Sequence, residues 1–566
     1  MIGGKLKISL IFIFILWAEI ASAGELIDLV NSFNADRRAL YTTYQIKESD
    51  EFYGRLSHFY KDWGKRVDAV EFSSLSTSAK ADYILLKNLI KKEEYQLGIN
   101  YEAYKKNKNI VDFANDLYAF VAHRRRGKKP NAKELANQFF EAGKHIDKKM
   151  QEQAKTPFND IAQALKSRDI VRSLKNGLKE SFEFYYRYDP DFTWWVKEPY
   201  EALYAKLEQY EEILRQNINS NAGAHKNNIV GKPVGRKTLE KLLQYEFISL
   251  SPEELLAGAE QQFEWIKAEM LKITHELGYG DDWKAALESV KDTYVPPGKQ
   301  PDTINGLYAY SLKFIEDNDL ITIPEMAKET WGMIMMTPER QKINPFFTGG
   351  WEISISYPTQ EMSQPDKMMS MRGNNPNFSF PTVQHELIPG HNLQFFMNER
   401  YKSYRKVFDT PFWMEGWALY WEIILWDKGF PQTADQKMGM LFWRLHRAAR
   451  IIFSLKYQLG LMSAQEAIDF LVDKVGHEYA NAEAEVRRSF TGGTPPLYQI
   501  AYLVGGLQFY ALKNELIKKG WTEKEYHDRV LKENRMPVEI LRLLLMNEDF
   551  SKDYTTNWKF SMDFKQ

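Results

Sequence analysis

Apolar residues recur three and four positions apart along most of this chain, with charged residues between them. The stretches 78–98 (SAKADYILLKNLIKKEEYQLG) and 198–216 (EPYEALYAKLEQYEEILRQ) are representative. This spacing places the apolar side chains on one face of an α-helix. We therefore predict a mainly α fold, with helices from about residue 27 to residue 245 and again from about residue 384 onward.

The stretch between about residues 337 and 381 has a different composition. Pro, Gly, Asn and Met are concentrated around WEISISYP (351–358), where large apolar and polar residues alternate. Period-two alternation is typical of a β-strand. We predict one short strand or hairpin near 351–358 inside an otherwise helical protein. Upstream, Ser251 and Pro252 predict the start of another helix, because serine caps helix N-termini and proline fits the first turn.

A chain of 566 residues can bury a large core in several domains or in one large helical body. We predict two helical regions, residues 24–245 and 246–566. The adjacent Trp194 and Trp195 are interpreted as core residues, with an aromatic ligand cage as the alternative.

The first 23 residues have the pattern of a signal peptide. Lys5 and Lys7 precede the apolar run ISLIFIFILWAEIA, which is short for a membrane span and ends near Ala21-Ser22-Ala23. We expect export to the periplasm or the cell exterior with cleavage after Ala23. A retained membrane anchor is the alternative. No stable membrane insertion is expected after cleavage.

Charge and cysteine usage exclude several classes of function. Lys plus Arg number 75 and Asp plus Glu number 76, so no net charge draws the chain to nucleic acid or to an anionic membrane. Cysteine is absent, which excludes disulfides, thiolate catalysis and lipid attachment through an N-terminal cysteine. Any metal ion must therefore be held by histidines and carboxylates, which zinc accepts readily.

The heptapeptide HELIPGH (385–391) contains two histidines six positions apart. On a straight helix such residues lie about 240° apart around the axis and about 9 Å apart along it. Two imidazoles on one zinc ion need ring nitrogens only about 3 to 3.5 Å apart. A regular helix therefore does not let His385 and His391 share a metal ion.

Pro389 and Gly390 change this expectation, because proline interrupts a helix and glycine adopts conformations that other residues avoid. Two residues can then be looped out or absorbed in a bulge, which returns His391 to the side of His385. His-Glu pairs also occur at His275 and His477 without a second histidine nearby, so the heptapeptide alone does not identify a metal site.

A second motif, PFWMEGWALYWE (411–422), follows at a suitable distance. Glu415 stands 24 residues after His391, which is about the length needed for a helix to end, turn and pack back. Gly416 allows close helix approach. Glu422, two helical turns after Glu415, is a candidate acceptor that orients a ligand histidine. An ordinary helix salt bridge is the alternative for Glu422.

These motifs resemble those of the bacterial domain-of-unknown-function family number 885. The family carries HExxPGH, EGWALY, a helix with paired arginines, and a Pro-rich turn followed by Tyr and Gly. This chain matches these features, over about residues 245–515, with HELIPGH, EGWALY, HRAAR (446–450), EVRRS (485–489) and PLYQIAYLVGG (496–506).

That family is in turn similar to zinc metallopeptidases of the HExxH-plus-Glu, or gluzincin-like, type. The resemblance implies a mainly helical body with a deep channel and the metal ion on its floor. It implies that residues 246–566 form the catalytic region, with Zn²⁺ held by His385, His391 and Glu415.

In such a site Glu386 is expected to act as the general base on a water molecule. Tyr502 is the candidate donor to the developing oxyanion, with Tyr498 in reserve. An extended peptide substrate is expected to pair with the strand near 351–358.

Arg447, Arg450 and Arg488 either bind a substrate carboxylate or bridge Glu483 and Glu485 within the helical core. The expected activity is hydrolysis of peptides by an exported zinc enzyme. A binding protein without catalysis and a zinc amidase acting on a non-peptide or cell-wall amide are the alternatives.

Overall fold

The structure, a computed structural model, describes residues 26–158, 160–222, 229, 231–341, 347–491 and 493–563. The predicted signal peptide, residues 1–23, lies outside the described residues. Within them the chain is mainly helical with two short strands, which confirms the predicted fold class. No described helix is long and apolar enough to cross a membrane.

The chain folds into two compact units, of which the N-terminal unit comprises residues 27–71 and 86–232. Its helices are α1 (26–43), α2 (Asp50–Asp68), α3 (Thr77–Asn107), α4 (Asn115–Arg124), α5 (Ala132–Lys155), α6 (Ile161–Tyr185) and α7 (Pro190–Ala222). Helix α3 contributes its first residues to the other unit. The representative stretches 78–98 and 198–216 lie in α3 and α7, as predicted.

Trp194 and Trp195 are not core residues, so this interpretation of the sequence was wrong. Trp194 is 81% exposed and Trp195 is 40% exposed. The buried face of α7 instead follows Phe192, Val196 and Tyr200, which lie four positions apart. The two tryptophans fall between these positions, and helical phase therefore turns them outward.

The C-terminal unit comprises residues 72–85 and the chain from residue 233 onward. Its helices are α8 (Arg236–Tyr245), α9 (Pro252–Glu276), α10 (Trp283–Lys291), α11 (Gln300–Asp317), α12 (Glu325–Thr330), α13 (Pro338–Gln341), α14 (Gln364–Gly373), α15 (Pro376–Glu386), α16 (His391–Asn398), α17 (Pro411–Asp427), α18 (Ala434–Gln458), α19 (Ala464–Phe470), α20 (Tyr479–Phe490), α21 (Tyr498–Lys518), α22 (Glu523–Glu533) and α23 (Val538–Met546). Helix α9 begins as predicted, with Ser251 and Glu254 forming a reciprocal capping box.

The two strands, β1 (Gly332–Met335) and β2 (Glu352–Ile355), pair in parallel. Strand β2 confirms the position of the predicted β element, but it is shorter than the predicted segment and does not form a hairpin. Its partner β1 was not predicted, since four residues are too few to show a period. Ser354 also forms an antiparallel bridge with Thr348, donating its N–H to the Thr348 carbonyl at 2.7 Å.

Helices α17 and α21 cross at a pair of glycines. A methyl group on Gly416 would lie 2.7 Å from the Cα of Gly505, and one on Gly505 would lie 2.4 Å from the carbonyl oxygen of Phe412. Both distances are too short for any side chain, so the two backbones approach as closely as glycine permits. This crossing brings Glu415 of α17 beside Tyr498 of α21.

Arg405 joins the segment after α16 to two buried carboxylates. It is fully buried, and it donates from Nε to Asp82 at 2.6 Å and from Nη1 to Glu533 at 2.7 Å. We expect Arg405→Met to lower the free energy of unfolding by about 3–5 kcal/mol, because both carboxylates lose a buried partner. Urea denaturation followed by circular dichroism measures the change.

Arg529→Met is the matched control, since the exposed Arg529 pairs with the same Glu533 at 3.2 Å. An exposed ion pair contributes only about 0–1 kcal/mol. Equal losses in the two variants would contradict a special role for burial at Arg405.

Candidate metal centre

The heptapeptide 385–391 spans a break between two helices. Helix α15 ends at Glu386 and α16 begins at His391. The N–H of Gly390 donates to the carbonyl of Gln384 at 3.0 Å, which folds the chain back on itself. A methyl group on Gly390 would lie 1.9 Å from the carbonyl oxygen of His385, so only glycine fits there. The predicted distortion is thus a complete break of the helix.

Contacts from α17 hold this break in place. The Ile388–Pro389 peptide bond is cis, and the Pro389 carbonyl accepts a hydrogen bond from Trp417 Nε1 at 2.9 Å. On the following helix, Gln394 Nε2 donates to the Trp413 carbonyl at 3.1 Å. Because α17 binds the chain on both sides of the break, the two histidines are held against the same helix.

Three buried ligand atoms converge as a result. Glu415 Oε2 lies 3.6 Å from His385 Nε2 and 3.3 Å from His391 Nε2. All three atoms lie within 4.8 Å of one another. Donor atoms in a tetrahedral zinc shell, with bonds of about 2.0–2.2 Å, are about 3.3–3.5 Å apart. Among the described residues this is the only His, Cys, Asp or Glu trio so arranged.

Glu422 lies behind His385. Its Oε1 is 2.7 Å from His385 Nδ1, which orients the imidazole with Nε2 toward Glu415. Burial by itself would lower the pKa of the His385 imidazole, but the hydrogen bonds with Glu415 and Glu422 outweigh burial and raise it to about 9. The partners of Glu422 are His385 on α15 and Arg447 on α18, so Glu422 does not form a salt bridge within its own helix.

Two tyrosines of α21 form a chain of hydrogen bonds that ends at the carboxylate of Glu415. Tyr498 donates its hydroxyl to Glu415 Oε1 at 2.5 Å, and Tyr502 donates to the hydroxyl of Tyr498 at 3.3 Å. Burial opposes ionisation of Glu415, but hydrogen bonds from His385 and His391 hold its pKa well below the usual range. Glu415 therefore stays anionic, with Oε1 accepting the hydrogen bond from Tyr498 and Oε2 facing the two histidines.

Glu386 is half-buried and makes no hydrogen bond or ion pair with the described residues. Its carboxylate lies against the backbone of Gly349, where a methyl group would be 2.2 Å from Oε2. Burial is the main cause of the raised pKa of the Glu386 carboxyl, and the nearby negative charge of Glu415 raises that pKa further. A carboxylate with a raised pKa and free oxygens is suited to accept a proton.

A cavity of about 300 Å³ within the C-terminal unit joins these groups. Of the ten predicted site residues only Glu422 does not line it. The nine that do are His385, Glu386, His391, Glu415, Arg447, Arg450, Arg488, Tyr498 and Tyr502. The deep channel implied by the family resemblance stays a prediction.

The three arginines face the cavity from two helices. Arg450 on α18 and Arg488 on α20 both donate to Glu485, from Nε at 2.8 and 2.6 Å respectively. Arg447 reaches Glu422 at 3.5 Å. The predicted bridge to Glu485 therefore exists, whereas Glu483 pairs with Arg487 instead.

Part of the cavity wall was missed from the sequence. Phe347, Thr348 and Gly349 line the cavity, whereas no residue of 351–358 does. The backbone of β2 is occupied at Ser354 by its bridge to Thr348, and the peptide-pairing role expected for 351–358 stays a prediction. In the sequence, the Gly349-Gly350 pair could have indicated this part of the cavity wall, because glycine permits close approach to another group.

The fold and the site together define a mainly helical protein with a buried His-His-Glu cluster in a polar cavity. A family model described as "Bacterial protein of unknown function (DUF885)" matches residues 46–545. The chain belongs to this family. No curated protein matches the sequence.

Solved structures share this fold, and two of them show the extent of the likeness. One is described as a candidate lipoprotein of unknown function from Shewanella oneidensis, with a TM-score of 0.68 and 16% identity over 92% of this chain and 99% of that chain. Another is a candidate lipoprotein from Colwellia psychrerythraea, with a TM-score of 0.59 and 16% identity over 93% of this chain and 99% of that chain. At this identity the likeness supports the fold alone.

Proposed function

We propose that this protein is an exported zinc-dependent peptidase. One observation carries the proposal: three buried ligand atoms, from His385, His391 and Glu415, converge in a cavity beside the carboxylate of Glu386, which has no hydrogen bond or ion pair with a described residue. Histidine nitrogens and a carboxylate oxygen in this arrangement are typical of catalytic zinc sites of the HExxH-plus-Glu type.

The donor set fits zinc in number and in spacing. His385 Nδ1 is engaged by Glu422, which leaves Nε2 for a metal ion. A zinc ion held by two histidines and one glutamate supplies an activated water and a Lewis acid for a carbonyl oxygen. Side chains that line the cavity are proposed to transfer the proton and to stabilise the oxyanion.

Glu386 is the proposed general base. It lines the cavity next to His385 and has both oxygens free of hydrogen bonds from described residues. It takes a proton from the attacking water and delivers it to the amine that leaves when the peptide bond breaks. The products are a new carboxyl group and a new amine.

Tyr502 is the proposed donor to the oxyanion. A phenol has one proton to donate, and that of Tyr498 is engaged by Glu415 at 2.5 Å. Among the described residues, the Tyr502 hydroxyl donates only to Tyr498, at 3.3 Å, so its proton can turn to a substrate oxygen. Stabilisation of the oxyanion by a neutral donor lowers the barrier of the reaction.

Export is supported by two observations. The signal-peptide pattern of residues 1–23 and the description of two structural relatives as candidate lipoproteins both indicate a protein outside the cytoplasm. The chain contains no cysteine, so we do not extend lipid attachment through an N-terminal cysteine to it.

Metal analysis of the purified chain tests the proposal. We expect about one zinc per chain, hydrolysis of members of a peptide library, loss of hydrolysis after chelation and recovery on adding zinc. His391→Ala should lose the zinc, whereas the control His275→Ala should keep it, because His275 lies exposed outside the cavity. A chain that takes up no zinc would overturn the proposal, and zinc without any peptide hydrolysis would favour a binding protein.

Glu422 is expected to tune zinc affinity through His385. Glu422→Ala removes the acceptor of the Nδ1 proton and should weaken zinc binding about 10- to 100-fold in competition with a chelator. Glu422→Gln keeps an oxygen acceptor and should weaken binding less. Equal affinity in wild type and Glu422→Ala would show that His385 needs no such partner.

A further inference from the structure

Three arginines line the cavity, and two of them share one buried carboxylate. The three are Arg447, Arg450 and Arg488, and among the described residues of the lining Glu485 is the only carboxylate that forms an ion pair with any of them. Glu485 accepts four hydrogen bonds, two from Arg450 and two from Arg488, so both of its oxygens are occupied. These bonds use Nε and Nη2 of each arginine and leave both Nη1 atoms out of the contact with Glu485.

Of the three arginines, Arg447 makes the fewest hydrogen bonds to described residues. It is buried, with 8% exposure, and its one ion pair with a described residue is the 3.5 Å approach to Glu422. It donates no hydrogen bond to a described residue, and its Nε is buried without a partner. Nη1 of Arg450 is also buried and makes no hydrogen bond to the part of the chain that the structure describes. Buried guanidinium groups are normally paired, so these unused donors indicate an anionic ligand.

The arginines lie close to the proposed zinc ligands. The ring of Tyr502 is 6.2 Å from the ring of His385, measured between centroids. The same tyrosine ring is 4.5 Å from Cζ of Arg450 and 4.7 Å from Cζ of Arg447. An extended peptide advances about 3.3–3.6 Å per residue. A carboxylate on these arginines is therefore one or two residues from a peptide bond at the ligands.

We propose that Arg447, Arg450 and Arg488 bind the C-terminal carboxylate of a peptide, so that one or two residues are released from its C-terminus. Guanidinium groups recognise carboxylates by paired, charge-assisted hydrogen bonds. Glu485 positions two of the three guanidinium groups for this contact. The inference rests on the proposed peptidase function, and it also predicts binding that does not require turnover.

Binding to the zinc-loaded Glu386→Gln variant tests the inference separately from catalysis. The probes are one peptide with a free C-terminus, the same peptide as its C-terminal amide, and an amide whose last residue is glutamate. Calorimetry should show about 10- to 100-fold tighter binding of the free acid than of the plain amide, because the acid adds charge-assisted hydrogen bonds. Mass spectrometry of wild-type digests should show release of one or two C-terminal residues.

Arg447→Gln and Arg488→Gln should each reduce the preference for the free acid about tenfold, because each removes a charged hydrogen bond. Arg487→Gln should not, since Arg487 pairs with Glu483 and does not line the cavity. Zinc content and thermal melting of each variant show whether the fold and the metal ligands are intact. The comparison of the free acid with the amide uses protein in which all three arginines are present. Its result therefore holds even if an arginine variant fails to fold.

Each result decides one of the two proposals. Equal binding of acid and amide overturns the carboxylate site, and so does absence of binding by all probes. Binding of the glutamate amide as tight as that of the free acid shows recognition of an acidic side chain and overturns the C-terminal assignment. Arginine-dependent binding of the free acid without hydrolysis by wild type retains the carboxylate site and overturns the peptidase.

Discussion

Glu386→Gln is expected to keep about one zinc per chain and to lose peptide hydrolysis by about 10²–10⁴-fold in kcat/KM. Glutamine has the size of glutamate but cannot accept a proton, so the water is no longer deprotonated in the transition state. The three ligand atoms belong to other residues, which is why zinc should remain. Metal analysis by mass spectrometry and rates on the best library peptide measure the two quantities.

Glu483→Gln is the matched control for this experiment. Glu483 is also a glutamate on a helix of the C-terminal unit, but it pairs with Arg487 and does not line the cavity. We expect its hydrolysis rate to equal that of wild type. Full activity of Glu386→Gln with zinc bound would remove Glu386 from the role of base, whereas loss of zinc would make it a structural support of the ligands.

Gly390→Ala is expected to abolish stoichiometric zinc binding and to destabilise the protein by about 3 kcal/mol or more. The added methyl group would lie 1.9 Å from the carbonyl oxygen of His385 and 2.5 Å from that of Gln384. Both obstacles are backbone atoms, so the fold-back between α15 and α16 must open. His391 would then move away from His385 and Glu415. Thermal melting and metal analysis measure the effects.

Gly306→Ala is the corresponding control. Gly306 lies inside α11, and a methyl group there would meet nothing within 4 Å. Alanine is preferred to glycine within a helix by about 0.5–1 kcal/mol, so this variant should be neutral or slightly stabilising. Zinc binding by Gly390→Ala at the wild-type level would show that the two histidines meet without the tight fold-back.

The candidate site could be predicted from the sequence in part. HELIPGH and Glu415 indicate the ligand set, and Pro389 with Gly390 indicates an interruption of the helix. The sequence could not choose between a bulge and a complete break. That choice depends on the bond from Gly390 to Gln384 and on the contact of Trp417 with Pro389, which requires α17 to be packed in place.

The roles of the arginines also could not be decided from the sequence. The sequence left open whether Arg450 and Arg488 contact a substrate or a glutamate, because both roles need the same residue type. The structure places Glu485 between them, from a helix that begins 21 residues after α18 ends. The incorrect interpretation of Trp194 has a related cause: composition suggested burial, but helical phase relative to the core decided exposure.

The sequence by itself determined the mainly α class, the start of α9 at Ser251 and a donor set without thiolates. These properties depend on residues within one or two helical turns or on composition alone. Only the tertiary structure decided that the two histidines and Glu415 meet, which segment forms the cavity wall, and which arginine donor atoms have no partner among the described residues. Those properties depend on contacts between residues far apart in the chain, whose pairing follows from how whole helices pack.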